Sequence, residues 1–402
     1  MTYGGDGGGR WVPPRPAQPS GRPQPPGRSR GHQPAQMMPL PGRGRSPYDE
    51  RTRPMGSRGE QPPPPPPRQA PPRQPEGASP RPRRRRRWGI GRILLTLLLV
   101  FVVFLAGIWV YLEFSIKRID ALANYDGRPA AASGTNWLII GSDSRDGLSK
   151  EDEARLATGD KSDAGGARTD TIMVAHIPDN STKPTLLSLP RDSQVTVPGH
   201  GTTKINAAFS IGGAPLLART VEGATGLRID HYAEIGFGGF ANIVDGIGGV
   251  DMCVDKDMND PMTGINIKAG CQSLDGRSAL GFVRTRYAEA TPRSDLDRVA
   301  NQRKFIGALV SQMASPGTLL NPFHFFPLLS SAPDALTMDS GDHVHNLVGL
   351  AMAMRGISSD GVVTTTVPVT SGTAEHWDKK KSQQLFDALR GDTEIPADVI
   401  MK

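Results

Sequence analysis

Residues 136–145 read N-W-L-I-I-G-S-D-S-R, an apolar run that breaks at a glycine and delivers a carboxylate, Asp143, just past its end. A run that short, closed by Gly-Ser-Asp, reads as a buried strand feeding a loop. Residues 169–177, T-D-T-I-M-V-A-H-I, form a second strand that starts at Thr169 or Asp170 and meets a turn at Pro178, Asp179 and Asn180. Residues 185–189, T-L-L-S-L, form a third that stops at Pro190-Arg191-Asp192. Such a turn can make the second and third strands an antiparallel hairpin. If the first also pairs antiparallel to the second, three polar sites share one sheet edge. Asp143, Arg168, Asp170, Arg191 and Asp192 then face one crevice.

Downstream, residues 206–223 have helical spacing, 231–237 read as a strand, and 240–244 as a helix closed by Asp245-Gly-Ile-Gly-Gly before a strand at 250–254. Residues 278–286 form a second polar cluster; if locally extended, Arg284 and Arg286, two apart, point the same way. A helix then starts at Ser294, with Asp297 in the capping-box position. On it Arg298 and Gln302, four apart, share a face, while Leu296, Val299, Ile306 and Val310 mark the buried side. Residues 345–354, 361–367 and 382–389 read as helix, strand and helix. The alternation predicts an α/β body, residues 136–390, followed by a tail, 391–402.

Upstream, residues 93–112 are almost uniformly apolar and, at 1.5 Å per residue, cover about 30 Å. They predict one transmembrane helix over residues 90–112, with residues 113–135 as an extracytoplasmic linker. Five consecutive arginines, Arg83 to Arg87, precede it together with Arg92; after it Lys117 and Arg118 are diluted by Glu113 and Asp120. That asymmetry places the amino-terminal arm in the cytoplasm and the body outside the cell membrane. A cleaved signal peptide ending near Ala121-Leu122-Ala123 is disfavoured by the long leader and the long apolar run.

Residues 1–87 hold 23 of the 37 prolines and 18 arginines against 5 acids. Such a segment cannot bury enough surface to offset its chain entropy, so a disordered arm is expected, with docking to a cytoplasmic partner through its proline-rich stretch as the functional alternative. The rest of the chain is mildly acidic, so the overall net charge of +7 does not describe a nucleic-acid-binding domain, and no nucleic acid partner is expected. Cys253 and Cys271 are the only cysteines. Outside the membrane they can oxidise, and a disulfide is expected in preference to two buried thiols. Without nearby histidines they make no closed zinc site.

Two carboxylates at one strand edge, with no thiolate or imidazole, suit a hard divalent cation such as magnesium, which is usually completed by substrate phosphates. Arg168, Arg191, Arg284, Arg286 and Arg298 in an acidic body imply a local anion site, because guanidinium forks match phosphate oxygens. A metal with several arginines suits pyrophosphate better than a lone carboxylate. Each piece alone has a plainer reading: Arg-Thr-Asp as a surface ion pair, Pro-Arg-Asp as a turn, and the 284/286 pair as a solvated strand face. Residues 236–241, G-F-G-G-F-A, imitate part of a dinucleotide fingerprint but lack its third glycine in register. No Walker loop, zincin helix or nucleophile elbow is present.

In order, the pieces are Gly141-Ser-Asp143-Ser-Arg145, Ala167-Arg168-Thr-Asp170-Thr, Ser188-Leu-Pro-Arg191-Asp192, Lys204-Ile-Asn206-Ala, Val244-Asp245-Gly-Ile-Gly-Gly-Val-Asp251, Leu274-Asp-Gly276, Ala279-Leu-Gly-Phe-Val-Arg284-Thr-Arg286 and residues 295–302. This string resembles the LytR-CpsA-Psr family of cell-wall glycopolymer ligases over residues 136–389. The resemblance implies an α-β-α domain with a mixed central sheet flanked by helices. It also implies transfer of a glycopolymer from a polyprenyl-pyrophosphate-linked donor to a peptidoglycan acceptor, with a phosphodiester formed and polyprenyl phosphate released. Asp143 and Asp170 would hold Mg²⁺ or Mn²⁺. Arg168, Arg191, Arg284, Arg286, Arg298 and Gln302 would bind the pyrophosphate, and Asp170 or Asp192 would take the acceptor's proton. A tunnel for the lipid would run beside helices such as residues 207–217 and 305–313. Two features depart from the family pattern: a slightly longer stretch between Arg286 and Arg298, and Asn301 where an arginine is common. The bias of 35 arginines to 12 lysines suits a GC-rich genome and an actinobacterial wall, with arabinogalactan, teichoic acid or capsule as the polymer. A hydrolase of the same lipid and a non-enzymatic membrane regulator are the competing functions.

Overall fold

Apolar runs become strands where neighbours cover both of their faces. The computed structural model of the chain describes residues 89–144, 150–156, 168–261, 263–285, 291, 295–357, 359–370 and 374–401. Arg286, Ser294 and the expected disordered arm lie outside the described residues.

A helix, α1 (Ile90–Ser115), leads into a short strand, β1 (Lys117–Ile119). Next come β2 (Thr135–Ser142), α2 (Lys150–Arg155), β3 (Thr169–Ile177), β4 (Thr185–Ser188) and a hairpin of β5 (Gln194–Val197) and β6 (Gly201–Lys204). Helix α3 (Ile205–Thr225), β7 (His231–Gly236) and α4 (Phe237–Gly246) follow, then β8 (Val250–Val254), β9 (Met258–Asp260), β10 (Ile265–Ile267) and β11 (Gly270–Leu274). The remainder is α5 (Gly276–Arg284), α6 (Asp295–Met313), α7 (Pro316–Leu319), α8 (Pro322–Ala335), β12 (Leu336–Asp339), α9 (Val344–Met354), β13 (Val363–Thr366) and α10 (Lys379–Arg390).

The main sheet has the order β1-β12-β7-β2-β3-β4-β13. Its centre, β2, pairs antiparallel with β3 and parallel with β7, and β3 pairs antiparallel with β4, so the sheet is mixed. Side chains alternate along β2: Leu138 and Ile140 enter a core shared with Leu217 and Val221 of α3 and Leu385 of α10, while Trp137 enters one shared with Val344 and Leu350 of α9. Both faces of the sheet are therefore covered by helices, and the strand carries a continuous apolar run in place of a polar alternation. A further core joins α4, α5 and α6 to β8 and β10 through Val244, Phe282, Phe305, Val250 and Ile265. The disulfide Cys253–Cys271 ties β8 to β11, where the two residues are direct partners in the ladder.

Helix α1 runs 26 residues and buries none of them. It is long and apolar enough to cross a membrane, which fits a single-pass membrane protein.

Four expectations change. Residues 278–284 are helical, not extended: Asp275 caps α5 by accepting from the Ser278 N–H at 2.7 Å, and Ala279, Leu280 and Phe282 are buried. Gly281 hides that pattern, since it replaces an apolar side chain where β10 presses in; a Cβ there would sit 1.8 Å from Ile265. On α6 Val299 is buried as expected, but the buried side also takes in Arg298, Gln302, Arg303, Phe305 and Leu309, whereas Leu296, Ile306 and Val310 are half-buried. Residues 113–135 are not a free linker, because they finish α1 and supply β1, which pairs parallel with β12. Arg128 adds a 3.0 Å ion pair to the buried Glu222 of α3. Residues 391–402 are not a loose tail: Val399 is buried and Met401 bridges Thr366 of β13.

Candidate active site

Strand pairing alone gathers the polar residues. The register shift between Gly141 and Ser142 places Ser142 opposite Thr169, so Asp143 leaves β2 where Arg168 enters β3. The two residues then bond twice. The Asp143 N–H donates to the Arg168 carbonyl at 2.8 Å, and the Arg168 N–H donates back to the Asp143 carboxylate at 2.5 Å. The Arg168 side chain is exposed.

Asp170 follows on β3, and the turn after β4 swings Arg191 back to it. One Nη of Arg191 donates to Asp170, and its Nε donates to Asp192 at 3.3 Å. Lys204, at the end of β6, reaches the other Asp192 oxygen at 2.7 Å. The Asn206 N–H, in the first turn of α3, donates to the Arg191 carbonyl at 3.2 Å and fixes this turn to the helix. The result is a chain of alternating charge: Asp170, Arg191, Asp192, Lys204.

Beside Asp170 opens a narrow cavity of about 90 Å³, walled mainly by apolar side chains such as Ile139, Phe240, Phe305 and Leu309. Asp170, Thr171, Arg284 and Gln302 supply its polar lining. The Arg284 guanidinium lies over the Phe237 ring, 4.8 Å from its centroid, and the Gln302 side-chain amide donates to the Val283 carbonyl at 3.1 Å. Arg298 lies one turn before Gln302 and is 1% exposed, which makes it a buried cation on the same helix face.

Asp170, Arg191 and Asp192 are thus joined directly, Asp143 is tied to Arg168 through the backbone, and Asp170, Arg284 and Gln302 line one cavity. The helix at 305–313 borders that cavity, and the segment at 207–217 does not. Two participants carried no assigned role in the sequence. Lys204 lies in the stretch Lys204-Ile-Asn206-Ala, and its nearness to Asp192 comes from the β5–β6 hairpin. Phe237 belonged to the discarded glycine-rich stretch, and its place under Arg284 depends on α4 packing against α5, which spacing along the chain does not reveal.

Asp143 and Asp170 offer oxygen ligands at adjacent strand ends with no sulfur or imidazole between them, a donor chemistry that fits magnesium or manganese. No cluster of three metal-ligating side chains occurs among the described residues, so such an ion would need oxygens from a ligand to complete its shell.

Comparison with known proteins decides the lineage. Residues 114–391 match the LytR_cpsA_psr family. The chain belongs to it. LytR_cpsA_psr relatives include the probable cell wall biosynthesis protein LcpB of Corynebacterium glutamicum, 52% identical over 306 residues, covering 75% of this chain and 70% of LcpB. The cell wall biosynthesis protein LcpA of the same organism is 32% identical over 280 residues, covering 61% of this chain and 52% of LcpA. Among solved structures, the LytR-Csp2A-Psr enzyme from Actinomyces oris superposes with a TM-score of 0.54 at 20% identity, covering 68% of this chain and 95% of that one, which shows a shared fold.

Proposed function

We propose that this LytR_cpsA_psr protein transfers a glycopolymer from a polyprenyl-pyrophosphate carrier to peptidoglycan on the outer side of the cell membrane. The carrying observation is that Asp170, Arg284 and Gln302 line a mainly apolar cavity. An apolar slot of about 90 Å³ beside charged groups suits the first carbons of a greasy chain joined directly to a compact polyanion, as in a prenyl diphosphate. The relationship to LcpB, named for cell wall biosynthesis, supports the same reading.

In the reaction an acceptor sugar hydroxyl attacks the phosphorus nearest the glycan. The new P–O bond makes the phosphodiester, the P–O bond to the bridging oxygen breaks, and polyprenyl phosphate leaves with that oxygen. Charge builds on the bridging and non-bridging oxygens, so fixed cations there lower the barrier without reorganising. Arg284 is oriented by its ring contact, Arg191 is held beside the cavity by Asp170 and Asp192, and Arg298 contributes buried positive charge. Magnesium or manganese, if held by Asp143 and Asp170, would supply further charge neutralisation. Asp170 or Asp192 receives the hydroxyl proton. The arginines ahead of α1 set the arm in the cytoplasm and the sheet outside.

The test is reconstitution of the full-length protein with a synthetic polyprenyl-pyrophosphate glycan and peptidoglycan fragments. A covalent glycan–phosphodiester–peptidoglycan product is expected by mass spectrometry. Release of glycan phosphate to water at an unchanged rate when the acceptor is withheld would mark the protein as a hydrolase instead.

A further inference from the structure

The chain from Phe305 to Pro333 contains no Asp, Glu, Lys or Arg. Its first part is core helix, but α7 and the start of α8 are not core. Leu319 is 49% exposed, Leu320 81%, Phe323 83% and Phe326 52%. Contiguous large apolar side chains at that exposure, with no charge among them, mark a contact surface for something apolar.

Strand register says what lies beside it. Helix α1 ends at Ser115 and β1 begins at Lys117, opposite Thr337 of β12, while α8 ends at Ala335 immediately before β12. The anchor and α8 therefore arrive at the same edge of the sheet, on neighbouring strands, and α8 touches α1, as does α9. On the next strand Leu336 pairs with Ile235, and Ile235 pairs in turn with Gly141. The edge that receives the anchor is the edge that carries Asp143 and Asp170.

We infer that α7 and the first turns of α8 lie in the outer boundary of the bilayer that α1 crosses, with Leu320, Phe323 and Phe326 among the lipid chains. The patch belongs to a helix that touches the spanning one, and an interfacial segment of this kind sits roughly 5–10 Å into the headgroup and acyl boundary. Asn321 keeps the buried end polar-satisfied by accepting from the Phe323 N–H at 3.0 Å. The arrangement has a use. Helix α8 packs on α4 so closely that a Cβ on Gly239 would sit 2.2 Å from the Ala335 Cα, and Phe240 of α4 lines the cavity beside Asp170. A prenyl chain could pass from the leaflet along this helix pair to the cavity without crossing water. The membrane contact itself rests on α1 as the anchor and is independent of the proposed reaction.

The full-length protein in phosphatidylcholine–phosphatidylglycerol liposomes tests it. Both native cysteines are in the disulfide, so a single introduced thiol can carry an environment-sensitive fluorophore. Phe323→Cys and Leu320→Cys are compared with Val103→Cys in α1 and with exposed Lys183→Cys. The probes at 323 and 320 are expected to emit to the blue and to be quenched by lipids spin-labelled near the headgroup, the probe at 103 by lipids labelled deep in the chain, and the probe at 183 by aqueous iodide alone. Iodide quenching at 323 and 320 while 103 remains lipid-quenched would overturn the interfacial placement and leave the anchor standing. Shielding at 323 from both quenchers that disappears on dilution of protein in lipid would assign the patch to a second copy and overturn it as well. Iodide access at 103 would remove the anchor and the inference together.

Discussion

Arg191 donates to Asp170 with one arm of its guanidinium and to Asp192 with its Nε, so a single side chain clamps the start of β3 to the turn after β4. A lysine could keep the charge but not the fork. Arg191→Lys is therefore expected to lower the transfer rate by on the order of 10²–10³-fold, the usual loss when one preorganised charge donor is removed from a transition state. The melting temperature should hold, because the ion pairs it breaks are only partly buried. A variant that retains full activity would separate Arg191 from the chemistry.

The two acids near Arg191 are not equivalent. Asp170 lines the cavity, whereas both oxygens of Asp192 are engaged, by Arg191 and by Lys204. Chelation of divalent ions is expected to abolish transfer, and Asp143→Asn or Asp170→Asn to raise the magnesium concentration needed to restore it. Asp192→Asn should leave that requirement unchanged. Titrating magnesium against rate for the three variants checks the assignment, and an equal shift in all three contradicts it.

Cys253 and Cys271 join the neighbouring strands β8 and β11. Replacing both by alanine is expected to cost about 3 kcal/mol of stability for a loop of this length. Reductant should destabilise the native protein by the same amount in urea unfolding and leave the double variant unmoved. An effect of reductant on the double variant would point to another cause.

Tyr125 gives a dependence on alkaline pH. Burial, with the 2.7 Å hydrogen bond it donates to Glu222, pushes its hydroxyl up to about 12. The unfolded phenol ionises near pH 10, so between about 10 and 12 the folded state holds more protons than the unfolded one. Its contribution is full below about pH 10 and fades as pH rises through about 12. Tyr125→Phe should flatten that alkaline loss in thermal melts. Equal slopes would mean that the segment after the anchor is not fastened to α3 in this way.

The central strands were legible because covered strands carry unbroken apolar runs, as residues 137–140 and 172–175 do. The short strands β1, β5, β6 and β12 were not. Three or four residues carry too little pattern, and pairing with distant partners creates them. Helix α5 is hidden in the sequence for a local reason: Gly281 removes an apolar side chain from its buried face. At the site, Asp170, Arg191, Arg284 and Gln302 could be named from ordered motifs. Lys204 and Phe237 could not, since each matters only through a contact made by folding.

Binding of polyprenyl pyrophosphate, polyprenyl monophosphate and free polyprenol to the full-length protein in magnesium-containing nanodiscs goes most directly to the diphosphate site. The pyrophosphate should bind tightest, and Arg284→Ala should erase its advantage over the monophosphate while leaving polyprenol binding unchanged. Equal binding of all three lipids by the native protein would contradict the site.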